Sequence, residues 1–383
     1  FSSESDEAPP RVRSRTALWV KGFKAMYPLR HGRGGVAHSG GPTSWGAGGP
    51  APQRDVGKAS SGYPPVMKVL ITGAGGNLGQ CAVPVLEREG HELRLFDFRR
   101  LDTNHEFVEG DIRDPIAVAR AVAGMDAVVH GAALHGIHLE SWSAEDFWSI
   151  NADGTFTVYQ AAHAAGIEHM VLASSMAVYG VGAGDPDRWT VVPENAPTRP
   201  ADLYGLTKVV AEDTARFYAE AHQMTTVALR LGMFVPETFA RYGFRLLFGG
   251  VDDRDVGEAA ALALAHRAQN QFASFNIMAD NALTPDDIEG LDADLASTLE
   301  RLWPGTLDLV AERGAQLDDL IWGGALYLVD KARAELGYRP RYDFAAFLGA
   351  WRRGDTGHYP YAHRDWWGAP RPMRPDRPTD GEE

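Results

Sequence analysis

One cysteine, Cys81, stands in the 383 residues. That excludes an internal disulfide and a cysteine-based metal site. Positive charge is in deficit: 37 Lys and Arg face 51 Asp and Glu, a formal net charge of −14. Such a balance repels nucleic acid and anionic membranes, although a local basic patch can still hold a phosphate. No apolar run approaches the roughly 20 residues that cross a bilayer. These absences leave a soluble, cytoplasmic protein as the expectation. His130, His135 and His138 stand close together, but no nearby carboxylate or thiol completes a ligand set, so no metal is expected.

What is present falls into four stretches. Residues 1–66 are dominated by Gly, Pro and Ser, as in Pro9-Pro10, Gly34-Gly35 and Gly48-Gly49-Pro50. Such a stretch buries too little apolar surface to offset the entropy of ordering it, and a disordered or low-complexity leader is expected. Arg11, Arg13, Arg15, Lys21 and Lys24 around Trp19 and Phe23 leave room for a targeting peptide, against which Glu4, Asp6 and Glu7 speak. Met67 directly precedes the first strong strand and marks the expected start of the catalytic part. From there, short apolar runs alternate with helical spacing. Strands are expected at Lys68–Thr72, Glu92–Asp97, 106–108, Ala127–His130, 170–173 and 226–230, and long helices at 147–165 and 204–222. Repeated strand–helix units predict an α/β fold, a doubly wound parallel sheet of Rossmann type over 67–235. Beyond Pro236 the pattern is less regular. Helices at 255–268 and 285–303 and a strand at 272–278 suggest a smaller substrate-binding region over 236–350, with an irregular tail at 351–383.

Gly73, Gly76 and Gly79 follow the first strand and open a helix. The first glycine allows a tight turn and the second lets backbone approach a pyrophosphate. The third brings helix and strand close. Free N–H groups at the helix start, in the Asn77-Leu78 turn, would face the phosphate charge. An acid about twenty residues on completes the dinucleotide fingerprint. It is Asp97, whose carboxylate suits adenosine ribose hydroxyls and repels a 2′-phosphate, favouring NAD. Arg99 and Arg100 keep NADP possible. Further on, Tyr204 and Lys208 are four apart, on one helix face. A free phenol, with a pKa of about 10, is a poor base at neutral pH; an ammonium and an oxidised nicotinamide nearby both favour its ionised form.

These motifs together resemble the extended short-chain dehydrogenase/reductases, in the NAD-dependent epimerase/dehydratase family. The likeness runs from Met67 to about Tyr342. It takes in the glycine motif, Asp111-Ile112, His130-Gly131-Ala132-Ala133, Asn151, Ser174-Ser175-Met176-Ala177-Val178-Tyr179-Gly180, the Tyr204–Lys208 pair and Gly337-Tyr338-Arg339-Pro340. The resemblance implies that Tyr204 is the general base, that Lys208 assists it and binds the nicotinamide ribose, and that Ser175 holds the reacting oxygen, with Ser174 as runner-up. It implies that Asp111 and Ile112 contact the adenine side and that Ala132 and Ala133 line the cofactor. Asn151 is implied to be structural or part of a proton relay. Helices 147–165 and 204–222 would pair with a second subunit in a homodimer.

The reaction is less sharply marked. Dehydratases of the family carry an Asp-Glu pair after the Ser/Thr; Met176-Ala177 stand here, which disfavours water elimination. The segment between Arg230 and Asp252 is shorter than the one that anchors nucleotide diphosphates in sugar-nucleotide epimerases. That is similar to uronate-dehydrogenase-like members, so the leading expectation is an NAD-dependent dehydrogenase acting on a secondary alcohol or hemiacetal of a small sugar or sugar-acid-like substrate. The alternatives are a nucleotide-sugar 4-epimerase and a non-catalytic NAD(P) sensor. Arg241 and Arg245 are candidates to hold a substrate carboxylate or, equally, to be solvated surface residues. Trp142, Phe147 and Trp148 can shape a pocket or pack a core, and Cys81 is expected to pack.

Overall fold

The computed structural model describes residues 66–139, 141–180, 189–266, 271–281, 283–320 and 324–361. The expected leader lies outside these residues except for Val66, as does the expected tail from residue 362.

Among the described residues nine strands are formed: β1 Lys68–Thr72, β2 Glu92–Asp97, β3 Glu106–Glu109, β4 Ala127–His130, β5 His169–Ser175, β6 Thr190–Val192, β7 Thr225–Leu231, β8 Phe272–Ile277 and β9 Ala325–Tyr327. Seven make one parallel sheet in the order β3-β2-β1-β4-β5-β7-β8, while β6 and β9 pair separately. Strands so rich in Val, Leu and Ala lose both faces to solvent when helices cover the sheet. All seven residues of β5 are buried. Helices Asn77–Arg88 and Asp253–Ala265 bury Leu78, Ala82, Leu86, Val256, Ala260 and Leu264 against one face. Helices Pro115–Val122, Gly154–Ala164 and Leu203–His222 cover the other with Val118, Val158, Ala211 and Ala215. Order reverses between β1 and β4, and the crevice at the carboxyl ends of these two strands is where such sheets bind ligands.

The helix expected at 147–165 is divided. Ser143 and Asp146 cap one another to start it at Ala144, and Ser149–Asp153 is a π-helical turn between Ala144–Trp148 and Gly154–Ala164. Asn151 lies in that wide turn, accepting from Leu134 N–H at 2.7 Å and donating to Leu134 O at 2.9 Å and to Thr207 Oγ1 at 3.0 Å. Apolar spacing alone does not reveal a π turn, because the extra residue is fixed by this tertiary hydrogen bonding. The stretch 285–303 is likewise two helices, Pro285–Ala293 and Leu295–Leu302, the second started by Asp294 accepting from Ser297 N–H.

The region beyond β7 has its own core of Tyr242, Phe244, Phe248, Leu291, Leu299, Phe344 and Phe347. Trp351 belongs to helix Phe344–Arg353, and Tyr359 is buried and stacks on Tyr242 at 3.8 Å between ring centres. The chain is therefore packed up to Tyr359, where sequence reading expected irregular tail from Trp351. Among the described residues no helix is long and apolar enough to cross a membrane.

Candidate active site

A cavity of about 520 Å³ opens over the carboxyl ends of β1, β4 and β5. Its floor is the turn after β1. Gly73 has φ +67°, and a Cβ there would stand 2.6 Å from Ala132 Cα, so no side chain fits. At Gly79 a Cβ would meet Ala74 O at 2.2 Å. Gly79 thus serves helix–turn packing, and it is not among the residues that line the cavity. Gly76, Asn77 and Leu78 do line it. Asn77 also donates to Phe234 O at 3.3 Å, tying the turn to the segment after β7.

Asp97 ends β2 at the cavity wall and is only 4% exposed. Its Oδ2 accepts from Gly75 N–H at 2.9 Å and its Oδ1 from Arg99 N–H at 2.9 Å, which fixes the carboxylate beside the glycine turn. Arg99 Nε lies 3.6 Å from Asp97, whereas Arg100 is exposed and outside the lining. Asp111 and Ile112 occupy the same end of the cavity, with Asp111 paired to Arg113 at 2.5 Å. Burial favours the neutral acid there, but hydrogen bonds from Arg113 outweigh it and lower the Asp111 pKa. Ala132 and Ala133 line the middle. The pattern of a closely packed glycine turn, an open helix start and a fixed carboxylate fits a dinucleotide.

At the other end stand Ser175, Tyr204 and Lys208. Both serines at the end of β5 line the cavity, but successive residues of a strand face opposite ways and their hydroxyls find different partners. Ser174 Oγ donates to buried Glu212 at 2.5 Å. Ser175 Oγ accepts from Ala177 N–H at 3.1 Å, capping a short helical turn at the cavity edge. Asp202 caps helix Leu203–His222 by accepting from Gly205 N–H at 2.6 Å, which sets Tyr204 and Lys208 in its first two turns. Lys208 Nζ lies 5.8 Å from the Tyr204 ring centre and donates to Ala173 O at 2.8 Å. Burial lowers its pKa to about 8, opposed by the charge of Glu212.

The three histidines have local partners. His130 lies between Thr72 Oγ1 at 2.7 Å and Thr155 Oγ1 at 3.0 Å; His135 and His138 accept from backbone N–H groups. His130 is buried and its pKa is pushed down to about 3 by desolvation and then by Lys208. The unfolded chain therefore binds a proton there that the folded chain refuses. The stabilisation is complete above the unfolded pKa of 6.5 and drains as pH falls towards 3, by several kcal/mol in order of magnitude. Urea unfolding measured over that pH range is expected to show this slope in the wild type and a shallower one in His130→Gln.

Sequence reading missed two features. The His135 ring packs against Tyr204 at 4.9 Å between centres. Glu212, one turn beyond Lys208, holds Arg230 in a buried bidentate pair at 2.9 and 2.7 Å. The four-residue step from Lys208 to Glu212 was a signal, since a carboxylate there shares the Tyr–Lys helix face. Arg245 is a correction. It has no exposure and donates to Val235 O and Glu237, so it braces the second core and cannot receive a substrate. Arg241 is exposed and outside the cavity lining. Trp142 lines the cavity, Phe147 is buried beside Leu134 and Tyr204, and Trp148 is 41% exposed. Cys81 packs in the core beneath the first helix.

Sheet order, glycine turn and cleft together define a Rossmann-type α/β protein. The model of the NAD dependent epimerase/dehydratase family matches residues 69–240. The uncharacterized protein y4nG of Sinorhizobium fredii is 30% identical over 312 residues, covering 72% of this chain and 76% of that protein. Uronate dehydrogenase of Pseudomonas syringae pv. tomato is 34% identical over 177 residues, 45% of this chain and 62% of that enzyme. UDP-glucose 4-epimerase of Corynebacterium glutamicum is 30% identical over 172 residues, 43% of this chain and 50% of that enzyme. The matched stretches thus span less than two thirds of both named enzymes. Among solved structures, a short-chain dehydrogenase/reductase superfamily protein from Agrobacterium tumefaciens with bound NAD aligns with TM-score 0.57 and 24% identity, over 76% of this chain and 98% of that one. The chain belongs to the NAD-dependent epimerase/dehydratase family, whose cofactor is NAD.

Proposed function

We propose that the protein is an NAD-dependent dehydrogenase that oxidises a secondary alcohol or hemiacetal of a small carbohydrate. The observation that carries this reading is the convergence of Ser175, Tyr204 and Lys208 on one end of a cleft whose other end suits adenosine. Gly73 to Leu78 would cradle the pyrophosphate, Asp97 would accept from the ribose hydroxyls, and Asp111 with Ile112 would flank the adenine. Bound NAD supplies the acceptor for the hydride that leaves the substrate carbon. Tyr204 Oη takes the hydroxyl proton, and Ser175 Oγ holds the same oxygen in position. The Lys208 ammonium favours the phenolate. Its pKa near 8 keeps it mostly charged at neutral pH and discharges it above that value. Most of the rate gain comes from holding these groups in place before the proton moves.

The test is NAD reduction by the purified chain against free sugars, uronic acids and UDP-sugars. Reduction with free sugars or sugar acids is expected. Turnover confined to UDP-sugars would replace the dehydrogenase with an epimerase, and tight NAD binding without any turnover would favour a sensor.

The functional unit we propose is a homodimer. Phe156 and Phe217, 47% and 54% exposed, sit on helices Gly154–Ala164 and Leu203–His222, and a second copy would cover them as a four-helix bundle. Sedimentation is expected to find a dimer, and Phe217→Glu a monomer.

A further inference from the structure

The run His135-Gly136-Ile137-His138 follows β4 and folds as a reciprocal cap. His135 N–H donates to His138 Nδ1 at 2.9 Å, and Ile137 N–H approaches His135 Nδ1 at 3.4 Å. A ring nitrogen that accepts from a backbone N–H carries no proton, so a neutral ring keeps it on Nε2, as a donor. Burial lowers the pKa of both rings, which keeps them neutral at ordinary pH. Both line the cavity with Ser141 and Trp142, and His135 touches Tyr204.

The cations that line this cavity among the described residues already have partners. Among the described lining residues, Arg99 faces Asp97, Arg113 pairs with Asp111, and Lys208 donates to Ala173 O. Arg245 is sealed in the second core. Among the described lining residues, a substrate carboxylate entering beside Tyr204 would find Lys208 already committed to Ala173 O and to Tyr204 and no second cation without a carboxylate partner, and burying a charge unpaired is costly. Hydroxyl groups suit the same surroundings, since neutral donors satisfy them and Trp142 adds apolar surface to the lining.

We propose that His138 is a specificity-determining residue, donating from Nε2 to a hydroxyl oxygen of an uncharged sugar, so that the site selects neutral aldoses over sugar acids. This rests on the hydride-transfer reading and narrows its substrate.

The experiment compares matched pairs, glucose with glucuronic acid and galactose with galacturonic acid, using the purified full chain and NAD. The neutral member is expected to have the higher kcat/KM by about tenfold or more. His138→Asn keeps an acceptor for His135 N–H but lacks the distal ring nitrogen. It is expected to raise KM for the neutral sugar about tenfold, with kcat and NAD affinity little changed. His138→Lys adds a cation and is expected to move the preference towards the acid. Preference of the wild type for the acids, or an unchanged KM in His138→Asn, would overturn the assignment while leaving hydride transfer standing. Absence of turnover with every free sugar and sugar acid would overturn both.

Discussion

Tyr204→Phe is expected to lower kcat by about a thousandfold, within the range that a positioned acid–base group contributes, while NAD affinity holds. The phenyl ring keeps the packing that Tyr204 makes with Leu134 and Phe147, so unfolding should not account for the loss. What disappears is the hydroxyl that the proposed mechanism uses to take the substrate proton. Initial rates under saturating NAD, with binding followed separately by quenching of protein fluorescence, separate the two quantities. Parallel losses of turnover and NAD binding would point instead to damage in the cleft.

Arg230→Leu is expected to destabilise the fold by about 3–5 kcal/mol, the range for breaking one partner of a buried ion pair. Glu212 and Arg230 are both buried, and without the guanidinium Glu212 retains, among the described residues, the hydrogen bond from Ser174 Oγ. Arg230 also donates to Tyr179 Oη at 2.8 Å and to Glu194 O at 3.2 Å, so the loss spreads to the turn after β5. Removing both charges in Arg230→Leu/Glu212→Leu should recover part of the stability, because no unpaired charge then remains. Urea denaturation of the three variants gives the energies. A double variant less stable than Arg230→Leu would contradict this view of the pair.

The sheet was legible because buried parallel strands are short continuous apolar runs bounded by turns. β1, β2 and β4 match their expected limits residue for residue, and β5 and β7 are longer by one or two residues at each end. The glycine turn was legible because close backbone approach leaves only glycine as an occupant. Asp97 followed at the expected distance. What escaped notice depends on contacts between distant segments. The π turn at Asn151 needs Leu134 and Thr207. The bond from Ser174 Oγ to Glu212 needs helix Leu203–His222 packed on β5, and adjacent residues of one strand look alike until then. Arg245 looked available because its partners, Val235 O and Glu237, are invisible to charge patterning. The π turn and Arg245 are settled by packing and not by propensity.

The most direct measurement follows the hydrogen itself. A free sugar deuterated at the reacting carbon is incubated with the purified chain and NAD, and both products are weighed by mass spectrometry. The account predicts deuterium in the reduced nicotinamide, in equal amount to an oxidised sugar. Deuterium retained in a sugar whose configuration has inverted, with no reduced nicotinamide released, would contradict it.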